Sequence, residues 1–205
     1  MIISAFNTSF NEYYTGHVIS AGSAELPVAI EDARAQLRMD DLRHDDEYLM
    51  LLIKAQCDLI ERSYQAALLT KTVIEYHKQF PLNGLRPMIV SGVGPVQSVT
   101  SVQYYNTSGV LTTWASSEYD VRITSGGVTI QPKVDYIYPS DFAYRTDAVV
   151  ITYTAGYGDT AASIPPTVRL GILSRIGRAY TNREDSAEQV MSMSDVLLQP
   201  LRRWI

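Results

Sequence analysis

One cysteine, Cys57, stands in 205 residues, so no disulfide can form within the chain, and such a chain suits a reducing compartment. No stretch approaches the roughly 18 consecutive apolar residues that a membrane-crossing helix needs. The opening MIISAFNTSFNEYY has neither a basic start nor a long apolar core, so it does not read as a secretory signal. Charged residues are sparse at 19%, and the 17 basic residues are outnumbered by 22 acidic ones, for a net charge of −5. A protein that grips phosphates normally carries a basic excess. Sequence-specific DNA reading is therefore disfavoured, whereas contact with DNA sliding past an acidic wall is not. Apolar residues at 46% exclude global disorder, and the length suits one domain, or one domain carrying an insertion.

Catalytic equipment is also missing. No GxSxG elbow, GxxxxGK[ST] loop or HExxH helix occurs. Gly92 and Gly94 (SGVGP) precede a proline and a strand pattern, and Gly156 and Gly158 (TAGYGDT) follow a strand pattern. Neither pair opens a helix, so neither offers helix N–H groups to a phosphate, and both read as turns. The three histidines, His17, His44 and His77, are far apart. His44 lies among Asp40, Asp41, Asp45 and Asp46, the best candidate for a hard cation, but the calcium-loop spacing and its glycine are absent. A polar loop leading into a helix N-terminus explains that cluster. No catalytic, metal or cofactor site is assigned.

What is present is a clear order of elements. Residues 1–24 show no sustained period and read as an extended arm, whose Phe6, Phe10, Tyr13 and Tyr14 need a surface to pack on, in this chain or a neighbour. Pro27 to Met39 reads as a first helix, with Ile30, Ala33 and Leu37 on one stripe and Glu31 and Asp32 near its start. Asp45 to Ala67 reads as a long second helix of about 20 residues, roughly 30 Å. Leu49, Leu52, Ile53, Gln56, Leu59, Ile60 and Tyr64 trace one of its faces. Alternating or β-rich runs follow at 70–76, 96–105, 110–114, 119–123 and 128–131, with a short apolar run at 88–90, a continuous β-branched run at 148–154 and turn residues between them, roughly six short strands in all. Short strands at that spacing predict an antiparallel sandwich or small barrel. Pro165-Pro166 then opens a third helix to about Asn182, and a polar stretch leads to a short segment at 196–205 limited by Pro200. Tyr supplies 14 aromatics against four Phe and two Trp, a bias found at interfaces.

The predicted class is α+β: a small helical bundle of two N-terminal helices plus a C-terminal helix, with an inserted antiparallel β-sandwich or barrel-like domain and extended termini. The expected boundaries are an arm at 1–24, a helical core at 25–68 and 163–184, a β insertion at 69–162, and a C-terminal tail at 185–205.

The segments LPVAIEDARAQLRMD, HDDEYLMLLIKAQCDLIERSYQAALLTKT, PVQSVTSVQYYNTSG, the strand at Tyr119–Val121, VVITYTAGYGD, IPPTVRLGILSRIGRAYTNRE and LLQPLRRWI occur in that order. Together they resemble the head-tail connector (adaptor) proteins of tailed bacteriophages, in the subfamily with a β domain between the helices. The resemblance covers about residues 25–205 and rests on order and spacing, above all E-x-A-R-x-x-L-R-x-D, T-A-G-Y-G-D and N-R-E. Three positions depart from the pattern: Ala29 replaces a Ser or Thr helix cap, Ala67 stands near a usual glycine, and the 1–24 arm is longer than in many relatives.

The resemblance implies a structural, non-enzymatic protein of the virion neck, between capsid portal and tail, made and assembled in the bacterial host cytoplasm. It implies a homo-oligomeric ring of about twelve copies. The ring would lie under the portal protein, extend the DNA channel without sequence-specific binding, and offer a docking surface to a tail or neck completion protein. It places portal docking in the C-terminal segment, where Leu197, Leu198, Leu201 and Trp204 are apolar and Arg202 and Arg203 can pair with carboxylates; Trp and Arg are frequent anchors of interfaces. The same end could instead fold back on its own helices. Two other readings are a non-virion assembly factor or protein-binding module, and an enzyme using a metal at Asp40–Asp46.

Overall fold

The computed structural model describes residues 13–22, 25–39, 45–81, 86–90, 92–124, 127–182 and 193–201. The chain divides into two compact units, a β unit built on Lys71–Ala155 with the preceding N-terminal segment to Ala21, and a helical unit formed by Gly22–Thr70 with the chain from Gly156 to Trp204. The class is α+β, with four α-helices and two sheets among the described residues.

In the β unit, one sheet has five strands in the order β1 (Tyr14–Gly22), β2 (Lys71–His77), β8 (Val149–Ala155), β4 (Val96–Tyr105), β5 (Leu111–Thr113). The other has three, β3 (Met88–Val90), β7 (Gly127–Pro132) and β6 (Tyr119–Thr124). The β-branched run AVVITYT forms β8, the middle strand of five, antiparallel to both β2 and β4. Both its faces are covered over much of its length, which is why its sequence is apolar without alternation. Neither sheet closes into a barrel among the described residues. Residues 14–22 of the expected arm are a strand hydrogen-bonded beside β2, so Tyr14 packs on this chain, its ring edge-on to His77 at 5.9 Å. Phe6 and Phe10 lie outside the described residues.

Several of the aromatic residues converge in one cluster. Phe80 stacks on Tyr138 at 5.4 Å and meets Trp114 and Tyr104 edge-on at 5.6 and 5.9 Å. Tyr138 belongs to the irregular connection between β7 and β8. Its hydroxyl accepts the Met88 N–H at 3.0 Å and reaches the carbonyls of Ile130 at 2.9 Å and Arg86 at 3.0 Å. Burial pushes this hydroxyl up to about 12 from its ordinary 10.0. A folded value above the unfolded one gives stability that is complete below pH 10 and lost as pH rises through 12. The shift corresponds to at most about 3 kcal/mol. We expect urea midpoints to fall across that range in the wild type. Tyr138→Phe should start lower, having lost its hydrogen bonds, and lose less with alkali. Parallel decline of both proteins would show that other groups control alkaline unfolding.

The helical unit contains α1 (Ile30–Leu37), α2 (Asp46–Tyr64), α3 (Pro166–Thr181) and α4 (Met193–Leu197). Ala29 caps α1 with no side-chain bond, as its methyl dictates. The chain leaves α2 through Gln65 in the left-handed region, φ 49°, a conformation glycine adopts at lower cost. Leu49, Ile53 and Ile60 of α2, Val168, Ile172 and Ile176 of α3, and Ala33 of α1 are buried in one core. Arg34 pairs with Asp46, its Nε 3.0 Å from Oδ1, and Arg169 pairs with Asp32 at 2.8 Å, so the first-turn acids of α1 and α2 also tie the helices together.

Candidate assembly surfaces

The C-terminal segment named by the resemblance lies in the helical unit. After α4 the chain makes a 3-10 turn at Gln199–Leu201. Leu198 is 0% exposed and Leu201 is buried with it in the helical core, while Leu197 is half-buried. The α3 residue Gly171 makes room for this packing: a Cβ there would stand 2.9 Å from Leu198 Cγ and Cδ2 and 3.3 Å from Leu197 Cβ. Arg175 of α3 holds α4 by donating to Asp195 Oδ1 at 2.7 Å. In this state Leu198 and Leu201 therefore complete the subunit's own core. Leu198→Ala should lower unfolding stability by about 2–5 kcal/mol in urea titrations. A loss under about 0.5 kcal/mol, the level of an ordinary surface substitution, would show that the end does not pack this way in solution. Arg202, Arg203 and Trp204 lie outside the described residues.

Beside this buried end, Met193 and Val196 of α4 and Leu170 of α3 are exposed. So are Met50, Leu51 and Leu59 on α2; Leu51 and Leu59 are separated by about two turns, on one side of the helix. Exposed apolar residues on a long helix offer surface for a second chain.

The acidic cluster resolves differently. Asp45 accepts the Tyr180 hydroxyl at 2.5 Å and Asp46 is paired with Arg34. Asp40, Asp41 and His44 lie outside the described residues. Among the described residues no group of three or more His, Cys, Asp or Glu is placed to hold a metal, and no helix is long and apolar enough to cross a membrane.

The TAGYGDT loop is a backbone junction. Tyr157 N–H donates to the Leu68 carbonyl at 3.3 Å and Thr70 N–H to the Gly158 carbonyl at 2.9 Å. Gly156, at φ 127°, sits where a Cβ would be 2.4 Å from the Leu69 carbonyl oxygen.

With this geometry, comparison with solved structures is informative. A chain from the neck of an empty gene transfer agent (GTA) particle, computed with C6 symmetry, superposes with a TM-score of 0.75 at 18% identity. The match covers 93% of this chain and 97% of that one. A chain from the virion of the native GTA particle gives 0.73 at 18% identity, and one from the native neck computed with C12 symmetry gives 0.69 at 19%, both with the same coverage. This chain has the fold of those GTA chains. No protein-family model and no curated protein matches the sequence. The shared fold extends over both units, and it agrees with the connector resemblance drawn from the order of the segments.

The β unit carries surface residues that periodicity did not single out. The connection after β7 exposes Val134 at 87%, Ile137 at 75% and Tyr144 at 100%. Its aromatic richness without alternation, over a long span lacking regular structure, was the available signal. Between Tyr104, Trp114 and this connection lies a cleft of about 390 Å³.

Proposed function

We propose that this chain is a structural head-tail connector of a tailed phage or phage-like particle, and that it acts as a ring rather than as an enzyme. The observation that carries the reading is the fold shared over 93% of the chain with chains of GTA particles, two of them from necks. The C12 and C6 symmetries of those necks support a ring of about twelve copies. A cyclic ring joins two different patches of each subunit. The exposed apolar residues of α2 supply one candidate patch for a neighbouring copy.

Twelve copies at −5 each would carry roughly −60 before counterions, a wall that does not hold phosphates and lets genomic DNA pass. The ring would lie in the neck under the portal protein, assemble in the host cytoplasm, and present its far side to a tail or neck completion protein. Portal docking is assigned to the C-terminal segment. Leu197, Arg202, Arg203 and Trp204 are its proposed contacts with the portal. Engagement of Leu198 and Leu201 requires the segment to leave its seat on Gly171.

The test mixes purified protein with DNA-filled tailless capsids and images the portal vertex by electron cryo-microscopy. Added ring density below the portal supports the connector reading and shows which end docks. Bare vertices at saturating protein, with folded subunit left in solution, would overturn portal docking and favour an assembly factor that leaves the particle.

A further inference from the structure

The cleft in the β unit has the chemistry of a cation receptor. It is lined by Tyr104, Trp114, Tyr138, Glu118, Asp141 and Ile137; Trp114 and Tyr138 are only 3% and 6% exposed, so the half-buried Tyr104 supplies its accessible aromatic surface. No Lys or Arg lines it, and neither Glu118 nor Asp141 has an ion-pair partner among the described residues. The nearby Lys133 is turned to another acceptor, its Nζ donating to the Ser117 carbonyl at 2.8 Å. The Tyr104 hydroxyl is held above its ordinary range, by burial first, then by the charge of Asp141 and its hydrogen bond to that carboxylate, and then by the charge of Glu118, so Asp141 is anchored on the Tyr104 hydroxyl while its charge has no cationic partner among the described residues.

The same connection already satisfies this chemistry once within the chain. The Arg145 guanidinium lies 3.7 Å from the centre of the Tyr105 ring, and its Nη2 donates to Asp147 Oδ2 at 2.6 Å. An aromatic face and a carboxylate there bind an arginine. The cleft repeats the aromatic and acidic parts, with Tyr104, Glu118 and Asp141.

We infer that the cleft receives an arginine side chain from a partner protein, its guanidinium against the Tyr104 ring and paired with Glu118 and Asp141. A guanidinium fits better than an ammonium, because it is planar, stacks on rings and can donate to two carboxylates at once. Ile137, at 75% exposure, gives an apolar neighbour of that arginine a surface at the rim. The volume is within the range that holds one long side chain and part of its flanks. The assignment concerns this unit alone and holds whether or not the chain forms a ring.

The test is a titration of the full chain with N-acetyl-arginine amide, followed by the Trp114 indole resonance. Saturable movement is expected with a dissociation constant on the order of millimolar. The uncharged isostere N-acetyl-citrulline amide should leave the resonance in place. Glu118→Gln with Asp141→Asn, both isosteric, should weaken arginine binding by about tenfold while the rest of the spectrum is unchanged. N-acetyl-lysine amide and spermidine should bind more weakly than the arginine probe. Absence of saturable movement, equal binding of citrulline, or equal or tighter binding of lysine or spermidine would each overturn the assignment. The citrulline comparison uses the unaltered protein, so the inference stays falsifiable if the double variant fails to fold.

Discussion

Gly156→Ala is expected to destabilise the helical unit by about 4 kcal/mol or more, at the extreme of single substitutions. Two independent reasons act together. The residue has φ 127°, which side-chain-bearing residues rarely adopt, and its added methyl would overlap the Leu69 carbonyl oxygen at 2.4 Å, the Leu69 carbonyl carbon at 2.5 Å and the Thr70 nitrogen at 2.7 Å. Those atoms are backbone, so nothing can rotate aside. Relief requires separating 156–158 from 68–70, which breaks the Tyr157–Leu68 and Thr70–Gly158 hydrogen bonds. Gly109→Ala is the control: φ is 76° but no atom lies within 4 Å of its Cβ, so only the conformational term, about 1 kcal/mol, applies. Urea unfolding followed by helical ellipticity should separate the two variants clearly. Similar small losses for both would mean that the junction opens freely and that the glycine is not held by close backbone approach.

Glu75→Ala is expected to cost the β unit about 3–5 kcal/mol. Glu75, His77 and Tyr153 are all fully buried. The carboxylate sits 2.9 Å from His77 Nε2 through Oε1, and through Oε2 it accepts from the Gly92 N–H at 2.8 Å and the Tyr153 hydroxyl at 3.1 Å. The Tyr153 oxygen in turn accepts the Val93 N–H at 2.8 Å. One acid thus ties β2 and β8 to the segment between β3 and β4, and its removal leaves several buried polar groups unpaired at once. Glu75→Gln keeps the shape but replaces one acceptor oxygen with a donor, so a smaller loss of about 1–3 kcal/mol is expected. Gly92 is fixed by the same network, since a Cβ there would stand 2.7 Å from Glu75 Oε2. The measurement is urea unfolding read through Trp114 in a Trp204→Phe background. Losses under about 1 kcal/mol for Glu75→Ala would show that water replaces the carboxylate without strain.

This network marks where the sequence stops being legible. Val73, Ile74, Glu75, Tyr76 and His77 alternate, and a strand follows from that alone. The parity does not reveal which face is inside, because each face carries apolar residues. Apolar content favours the face with Ile74 and Tyr76, yet the structure buries Val73, Glu75 and His77. What reverses the choice is partners more than 15 residues away, at Gly92 and Tyr153, which make burial of the acid affordable only in the folded unit. The C-terminal end repeats the lesson: Leu197, Leu198 and Leu201 read equally well as an anchor for another protein or as core. The space left by Gly171 shows that Leu198 is core in the subunit itself.

The sequence by itself determined the α+β class, the three longer helices, and a run of roughly six short strands between the second and third, where the structure has seven. Each of these is a local consequence of period 3.6, of period 2 or of a continuous β-branched run, punctuated by Gly and Pro. Segment order carried the resemblance further than any motif did, because none of the catalytic or metal-binding motifs sought occurs in the sequence. Tertiary structure alone decided that Tyr14–Gly22 is an edge strand beside β2, that the aromatics converge on Phe80, that the TAGYGDT glycines serve backbone approach, and that Glu118 and Asp141 share a cleft with Trp114. The physical reason is common to all four: each depends on contacts between residues far apart in the chain, and local periodicity carries no information about which distant surfaces will meet.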